Sequence, residues 1–289
     1  MKIYTVSYKR GILAAARFTL LVWFFVFVGM LTSVSSYVLS GPHVLELMIK
    51  KIGKTNRLLV EQALILHDNS TGQHGAAFKE IVRYVFPETF RSDILSETIQ
   101  RIHLVTRGIV LTVTDGKYAL GTETLMDQYK DILLYRSRKM LEHKLTSAGV
   151  DVSVSSFGRF QDMIAYVLGA EYPDQTRSQL WIEKDTFLPI RLLLKRNDAD
   201  FLEFRYYKWE KMDGITYPMH IECYHNGKLI REMKVTSWAA NPQFSEDLFD
   251  IKLLQSLYVQ EAPDERPLEA VDEIQKTIEE FKKLYEQSP

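Results

Sequence analysis

A single cysteine, Cys223, excludes an intrachain disulfide and any Cys-rich metal site across the 289 residues. It sits in the strand-like run Met219–Tyr224, where a small buried side chain suits the position better than a reactive thiol. Equally absent are a Gly-x-Ser-x-Gly elbow, a phosphate-binding loop and a dinucleotide fingerprint. No nucleophile is paired with a base and an orienting third group, so no catalytic residue is assigned, no enzyme is expected and no cofactor is implied. Acidic residues are missing from residues 1–36, which carry Lys2, Lys9, Arg10 and Arg17. The rest of the chain then holds 32 Lys and Arg against 37 Asp and Glu, a formal charge of −5. An acidic body displaces few counterions from a phosphate backbone, so nucleic acid is set aside as a partner.

The basic start continues into an apolar run, Phe18–Leu31, broken only by Thr19 and Gly29, and then into Thr32–Ser36. At about 14 residues the run falls short of the roughly 20 that cross a bilayer comfortably. This layout predicts a secretory signal over residues 1–36, with Val34 and Ser36 at the cleavage positions or Ser40 as a second site. An uncleaved anchor competes, because Val38 and Leu39 extend the apolar run. Either reading exports the body, with the positive flank left in the cytoplasm.

What the chain has in quantity is strand. From Ser178 to Ile251, apolar and aromatic runs are cut at Lys184-Asp185, Asn197-Asp198, Asp213-Gly214 and Asn226-Gly227, the last two being strong signals for tight hairpins. Along Phe201–Trp209 one face carries Phe201, Glu203, Arg205, Tyr207 and Trp209, and the other Leu202, Phe204, Tyr206 and Lys208. Neither face is cleanly polar, nor is either in Ile190–Leu194 or Ile164–Leu168, so both faces need cover or one encloses an apolar space. Upstream, His43–Gly53 predicts a short helix with Pro42 in its first turn. Strands are expected over Leu58–His67, Phe78–Phe86 and Ile99–Val105, with Asp68–Gly75 a polar loop, and the stretch Pro87–Ser96 is left unassigned. A hairpin about Asp115-Gly116 leads to a helix over Thr124–Ala148. Its apolar stripe is Leu125, Tyr129, Ile132, Leu133, Met140, Leu141 and Leu145, its polar face holds Lys130, Arg138, Lys139 and Glu142, and it is expected to lie against the concave side of the sheet. Strands resume over Val150–Ser155 and Gln161–Leu168. Glu261–Pro267 reads as a linker before an amphipathic helix over Leu268–Tyr285.

The seven histidines make no metal site by spacing. His220, Glu222 and Tyr224 share one strand face, whereas Cys223 and His225 point the other way, which breaks a His-Cys cluster. Apolar binding is the better supported chemistry. Tyr166, Trp181, Phe204 and Tyr206 supply wide surface and Met219 and Met233 adaptable surface, with Tyr129, Leu133 and Met140 as the helical lid. Each acyl methylene buried contributes about 0.8 kcal/mol, so about ten of them offset the entropy of association. The competing reading is that these side chains simply fill the core.

Two stretches resemble a known family: Leu180-Trp181-Ile182-Glu183-Lys184-Asp185 with Leu188-Pro189-Ile190-Arg191, and Asn241-Pro242 followed by Phe249-Asp250-Ile251. Together with the order of elements over roughly 42–251, they make the chain similar to the periplasmic lipoprotein-carrier superfamily, the LolA/LolB-like proteins. The resemblance implies an α+β fold, a curved antiparallel sheet forming an incomplete, half-open barrel covered by helices over 41–255, with residues 261–289 outside it. It also implies a periplasmic, non-catalytic carrier of lipid or acylated lipoprotein in outer-membrane lipoprotein sorting, with an inner- or outer-membrane protein as partner. A membrane-tethered sensor or interaction module is the alternative, and an envelope hydrolase would require a convergent constellation.

Overall fold

The computed structural model describes residues 38–67, 76–96, 100–121, 123–197 and 199–260. The expected leader, the loop Asp68–Gly75 and the helix Leu268–Tyr285 lie outside the described residues. Helix α1, Gly41–Ile52, carries Pro42 in its first turn and two lysines in its last, and turns Val44, Leu45, Met48, Ile49 and Ile52 inward. It stops at Gly53, where φ is 90°. Strands β1 (Arg57–Leu66), β2 (Ala77–Val85), β3 (Thr89–Leu95), β4 (Gln100–Thr106), β5 (Ile109–Thr114) and β6 (Lys117–Leu120) follow as successive antiparallel neighbours.

A 3-10 turn (Leu125–Lys130), helix α2 (Asp131–Leu134) and helix α3 (Arg138–Ser147) come next. The meander then runs β7 (Ser155–Phe160), β8 (Met163–Leu168), β9 (Gln179–Glu183), β10 (Pro189–Asn197), β11 (Asp200–Met212), β12 (Ile215–His225) and β13 (Lys228–Ala240). A second 3-10 turn (Glu246–Phe249), helix α4 (Ile251–Leu257) and the short β14 (Val259–Gln260) complete the described chain.

Among the described residues fourteen strands form one sheet in the order β14-β6-β5-β4-β3-β2-β1-β13-β12-β11-β10-β9-β8-β7. Only β14 runs parallel to its neighbour. Strands β14 and β7 end the order without pairing to each other, so among the described residues the sheet curls without closing. The predicted turns at Asp115-Gly116, Asp213-Gly214 and Asn226-Gly227 have positive φ at both central residues, as two-residue hairpins require.

Strand β3 occupies the unassigned stretch. Its centre, Arg91-Ser92-Asp93, is polar yet buried, because Arg91 and Arg83 bond Asp93 and Ser92 bonds Glu80 of β2. Hydrophobic pattern gives no sign of a strand whose side chains are satisfied by other polar groups. The strand expected at Val150–Ser155 begins instead at Ser155, after a turn in which Asp151 accepts bonds from Ser153. Trp209 also departs from expectation. Positive φ at Lys208 interrupts the alternation of β11, so Trp209 packs with Tyr206, 6.4 Å between rings, against the inner core.

The two apolar faces are both covered. The inner face holds the main core, from Val44 and Leu45 of α1 to Phe204, Tyr206, Tyr217 and Met233 of the meander, and Val38 and Leu39 pack against it. On the outer face, α4 covers Ile102, Leu104, Leu111 and Val113 through Leu254. Farther along, Ala165, Val167, Trp181 and Ile190 form a separate outer cluster roofed by Phe160 and by the guanidinium of Arg191.

Gly53 joins α1 to the sheet by bridging Ile215, and a Cβ there would lie 2.0 Å from the Gly214 carbonyl oxygen. Gly53→Ala is expected to destabilise the protein by about 1–3 kcal/mol from backbone strain alone. Urea unfolding measures it, and an unchanged midpoint would show the cap to be dispensable.

Candidate functional site

The cover over the inner face is the stretch from Glu123 to Ser147, and it is not the continuous helix that periodicity predicts. The 3-10 turn advances three residues per turn, which shifts the helical phase, and Tyr135 to Ser137 run extended between α2 and α3. Of the expected stripe, Tyr129, Ile132, Leu133, Leu141 and Leu145 are buried in the main core, joined by Met126, Leu134 and Tyr135, which the helical period does not place there. Tyr129 and Leu133 are buried against the main core and Met140 is half-buried on it. The Tyr129 ring meets Phe204 at 6.3 Å and Phe90 at 6.5 Å, and Tyr206 donates a hydrogen bond of 2.9 Å to the Tyr129 carbonyl. Thr124 does not cap the backbone; its hydroxyl donates to Asp127 Oδ2 at 2.6 Å.

Lys130, expected on the solvent side, is fully buried. The changed phase turns its ammonium toward Glu123 and Asp131, 5.3 Å from the Phe90 ring. It belongs to a charged network that ties the cover to the sheet. Arg101 of β4 donates to Asp127 at 2.9 Å, and His103 lies within ion-pair distance of both Glu123 and Asp127. Across the neighbouring strands, Glu80 of β2 accepts from Gln62 of β1, Ser92 of β3 and Arg231 of β13. A cavity of about 10 Å³, the room of roughly one water, lies between Asp127, Arg101 and Arg231.

Burial acts to raise the Glu123 carboxyl, but His103 and Lys130 outweigh it and hold the group down to about 2. Burial likewise opposes ionisation of Asp127, whose pKa Arg101, His103 and Arg231 nonetheless keep far below the usual carboxylate range. Lys130 is raised above its ordinary value because Asp131 and Glu123 overcome the effect of burial.

Of the groove residues expected from sequence, Tyr166, Phe204, Tyr206 and Met233 come together on the inner face. Tyr166 sits between Phe157 at 4.9 Å and Phe187 at 5.8 Å. Trp181 does not join them. It alternates with Leu180 and Ile182, which point inward, and therefore belongs to the outer cluster, donating to Gln179 at 3.0 Å. Met219 is only half-buried and lies outside the main core.

Tyr84, Phe90 and Tyr217 on the inner face, and the buried Glu80 and Arg231, are not distinguished by any sequence motif. A signal for Glu80 existed: it falls in phase with Phe78, Val82 and Tyr84, so a strand with those residues inward carries the carboxylate inward too.

A second polar cluster lies across β1, β12 and β13. Glu232 accepts from His67 at 3.0 Å, His220 at 3.1 Å and Lys234 at 3.1 Å, and Glu222 is 3.7 Å from His220. Ligand atoms of His220, Glu222 and Glu232 lie within 4.8 Å of one another, close enough to hold a metal ion. The sequence pairs His220 with Glu222 but not with Glu232, which is brought in by strand register. Lys234 and His67 already engage the Glu232 carboxylate, so a cation held by these three would have to compete with both. Elsewhere an open cleft of about 470 Å³ runs between the β2–β5 turns and α4, lined by Val85, Ile109, Phe249 and Ile251.

An open, curled antiparallel sheet covered on its inner face by helices defines an incomplete-barrel fold. Among solved structures it is similar to a LolA superfamily protein from Nitrosomonas europaea, with TM-score 0.53 and 11% identity over 74% of this chain and 99% of that one. A domain described as that of an outer membrane lipoprotein-sorting protein from Vibrio parahaemolyticus matches with TM-score 0.51 and 8% identity over 74% and 97%. A DUF1329 family protein from Desulfovibrio piger matches with TM-score 0.51 and 15% identity over 75% and 98%. The fold is LolA-like. No protein-family model and no curated protein matches the sequence. Among the described residues no helix is long and apolar enough to cross a membrane.

Asp127→Ala strands Arg101 as a buried cation and is expected to cost about 3–5 kcal/mol, read by urea unfolding. Acid should act on the same contacts. Glu123 is held below its ordinary 4.5, so its stabilisation is fully present above about pH 4.5 and fades as pH falls toward 2. Tryptophan fluorescence followed from pH 6 to 2 checks this, and Glu123→Gln should flatten the profile.

Proposed function

We propose that this protein is an exported, non-catalytic binder of acyl chains, taking lipid or the acyl groups of lipoproteins against its inner face when the cover formed by 123–147 moves aside. The observation that carries this reading is the construction of the cover. Its pieces are 6, 4 and 10 residues long. Helices that short do not support themselves in water. The cover therefore depends on inserting Tyr129, Ile132 and Leu133 into the core and on the charged network at its start. The first of these attachments can be exchanged for another apolar chain.

Each buried side chain contributes about 1.5–3 kcal/mol and each methylene about 0.8 kcal/mol, so about ten methylenes balance the loss of three inserted side chains and further methylenes must offset the entropy of association. The groove residues in this proposal are Tyr166, Phe204, Tyr206 and Met233, and the lid residues Tyr129, Leu133 and Met140. A periplasmic setting is supported by the basic-apolar leader, and a part in outer-membrane lipoprotein sorting by the fold shared with the Vibrio domain. Delivery would require a membrane protein of the inner or outer membrane as partner.

Delipidated protein titrated with a fluorescent fatty acid is expected to show saturable binding, with faster uptake in Leu133→Ala because its cover is less firmly seated. Native mass spectrometry should find co-purifying acyl ligands. Failure of wild type and Leu133→Ala alike to bind would remove the acyl-chain reading and leave the fold to an interaction role.

A further inference from the structure

Arg136 lies in the extended break between α2 and α3, at the bend of the cover. The residue is half-buried as a whole, but its three guanidinium nitrogens are sealed from solvent and have no hydrogen-bond partner. The buried arginines Arg91, Arg101, Arg191 and Arg231 each meet a carboxylate: Asp93, Asp127, Glu203 and Glu80. Arg136 instead lies 4.7 Å from the centre of the Phe86 ring, which stacks on Tyr84. The titratable groups acting on it are the phenols of Tyr84 and Tyr217, whose hydroxyls bond each other at 3.2 Å. The buried hydroxyl of Tyr129, on the same cover, is likewise unpartnered.

We propose that Arg136 receives the anionic head of an amphiphile whose acyl chain occupies the inner face, a proposal that rests on the acyl-binding reading above. The planar guanidinium offers paired N–H donors that fit a carboxylate or a phosphate, and the Tyr84 and Tyr217 hydroxyls can turn to donate beside it. Burial lowers the Arg136 pKa to about 10, which leaves it a cation at neutral pH. Without a guest, the closed cover holds that cation desolvated and unanswered, a state that a counter-ion relieves. A neutral head would leave the charge as it is. Selectivity for anionic amphiphiles therefore follows from this residue.

The test uses the delipidated full chain, with oleate, oleyl alcohol and inorganic phosphate titrated by calorimetry below micellar concentrations. Wild type should bind oleate about 10- to 100-fold more tightly than oleyl alcohol, the span expected of a charge-assisted hydrogen bond. Arg136→Met should erase that difference while leaving oleyl alcohol binding in place, and Arg136→Lys should retain part of it. Unliganded Arg136→Met should melt no lower than wild type, since an unanswered charge has been removed; a clear fall would overturn the premise that Arg136 lacks a partner. Equal binding of oleate and oleyl alcohol, unchanged in Arg136→Met, would leave acyl binding standing and sink the head-group role. Arg136-dependent binding of phosphate without oleate would reassign the site to a free anion and defeat the amphiphile proposal. If none of the three binds, both readings fall.

Discussion

The pairing of β1 with β13 is the constraint on which the rest of the molecule depends. It joins strands more than 160 residues apart, as at Leu64 with Met233 and Leu58 with Ala240. Through it, the strands β2–β6 and the meander β7–β12 become one sheet with one inner face. The polar contacts follow the same seam. Arg231 on β13 reaches Glu80 on β2 across β1, and Glu80 in turn holds Gln62 and Ser92. An ion pair of this kind is a weak source of net stability, because desolvation offsets most of the attraction. Its consequence is register, since a one-residue slip of β1 would send Glu80's partner to the other face.

On that shared face the protein combines two kinds of attachment for the cover. Apolar side chains from α1 and from the 3-10 turn through α3 fill the space between strands without directional demands. Charged groups at Glu123 and Asp127 tie the start of the cover to Arg101 and His103 on β4, and Lys130 braces Glu123 from within the cover. The first attachment tolerates exchange with any apolar guest, whereas the second fixes where the cover returns. The bend at Tyr135–Ser137 divides these roles, with the tethered turn and α2 before it and the longer α3 after it. Arg136 at that bend is the point where charge and apolar surface meet without a counterpart.

Much of the fold was legible in the sequence wherever a local rule had one answer. Asp213-Gly214 and Asn226-Gly227 demanded tight turns, Pro42 and Gly53 bounded a helix, and the apolar runs between them were strands. Legibility ended where a residue's partner lies far along the chain. Strand β3 was hidden because Arg91, Ser92 and Asp93 are polar, and only Arg83 and Glu80 on the next strand make their burial tolerable. Trp181 was assigned to the groove because Leu180, Trp181 and Ile182 are all apolar, so alternation could not choose a face. The His220–Glu222 pair was visible, while Glu232 and His67 joined it only through the β12–β13 and β1–β13 registers.

The sequence by itself determined a largely antiparallel protein with no intrachain disulfide, strand after strand joined by tight turns, and apolar side chains on both faces of its strands. These follow from period, turn chemistry and composition, which act over a few residues. Only the tertiary structure decided which face each apolar residue lines, where the cover breaks, and that the charged ends of Lys130 and Arg136 on the cover are sealed from solvent. The physical reason is that burial is set by what packs around a side chain, and the rings that enclose these two, Phe90 for Lys130 and Phe86 for Arg136, come together with the cover only on folding.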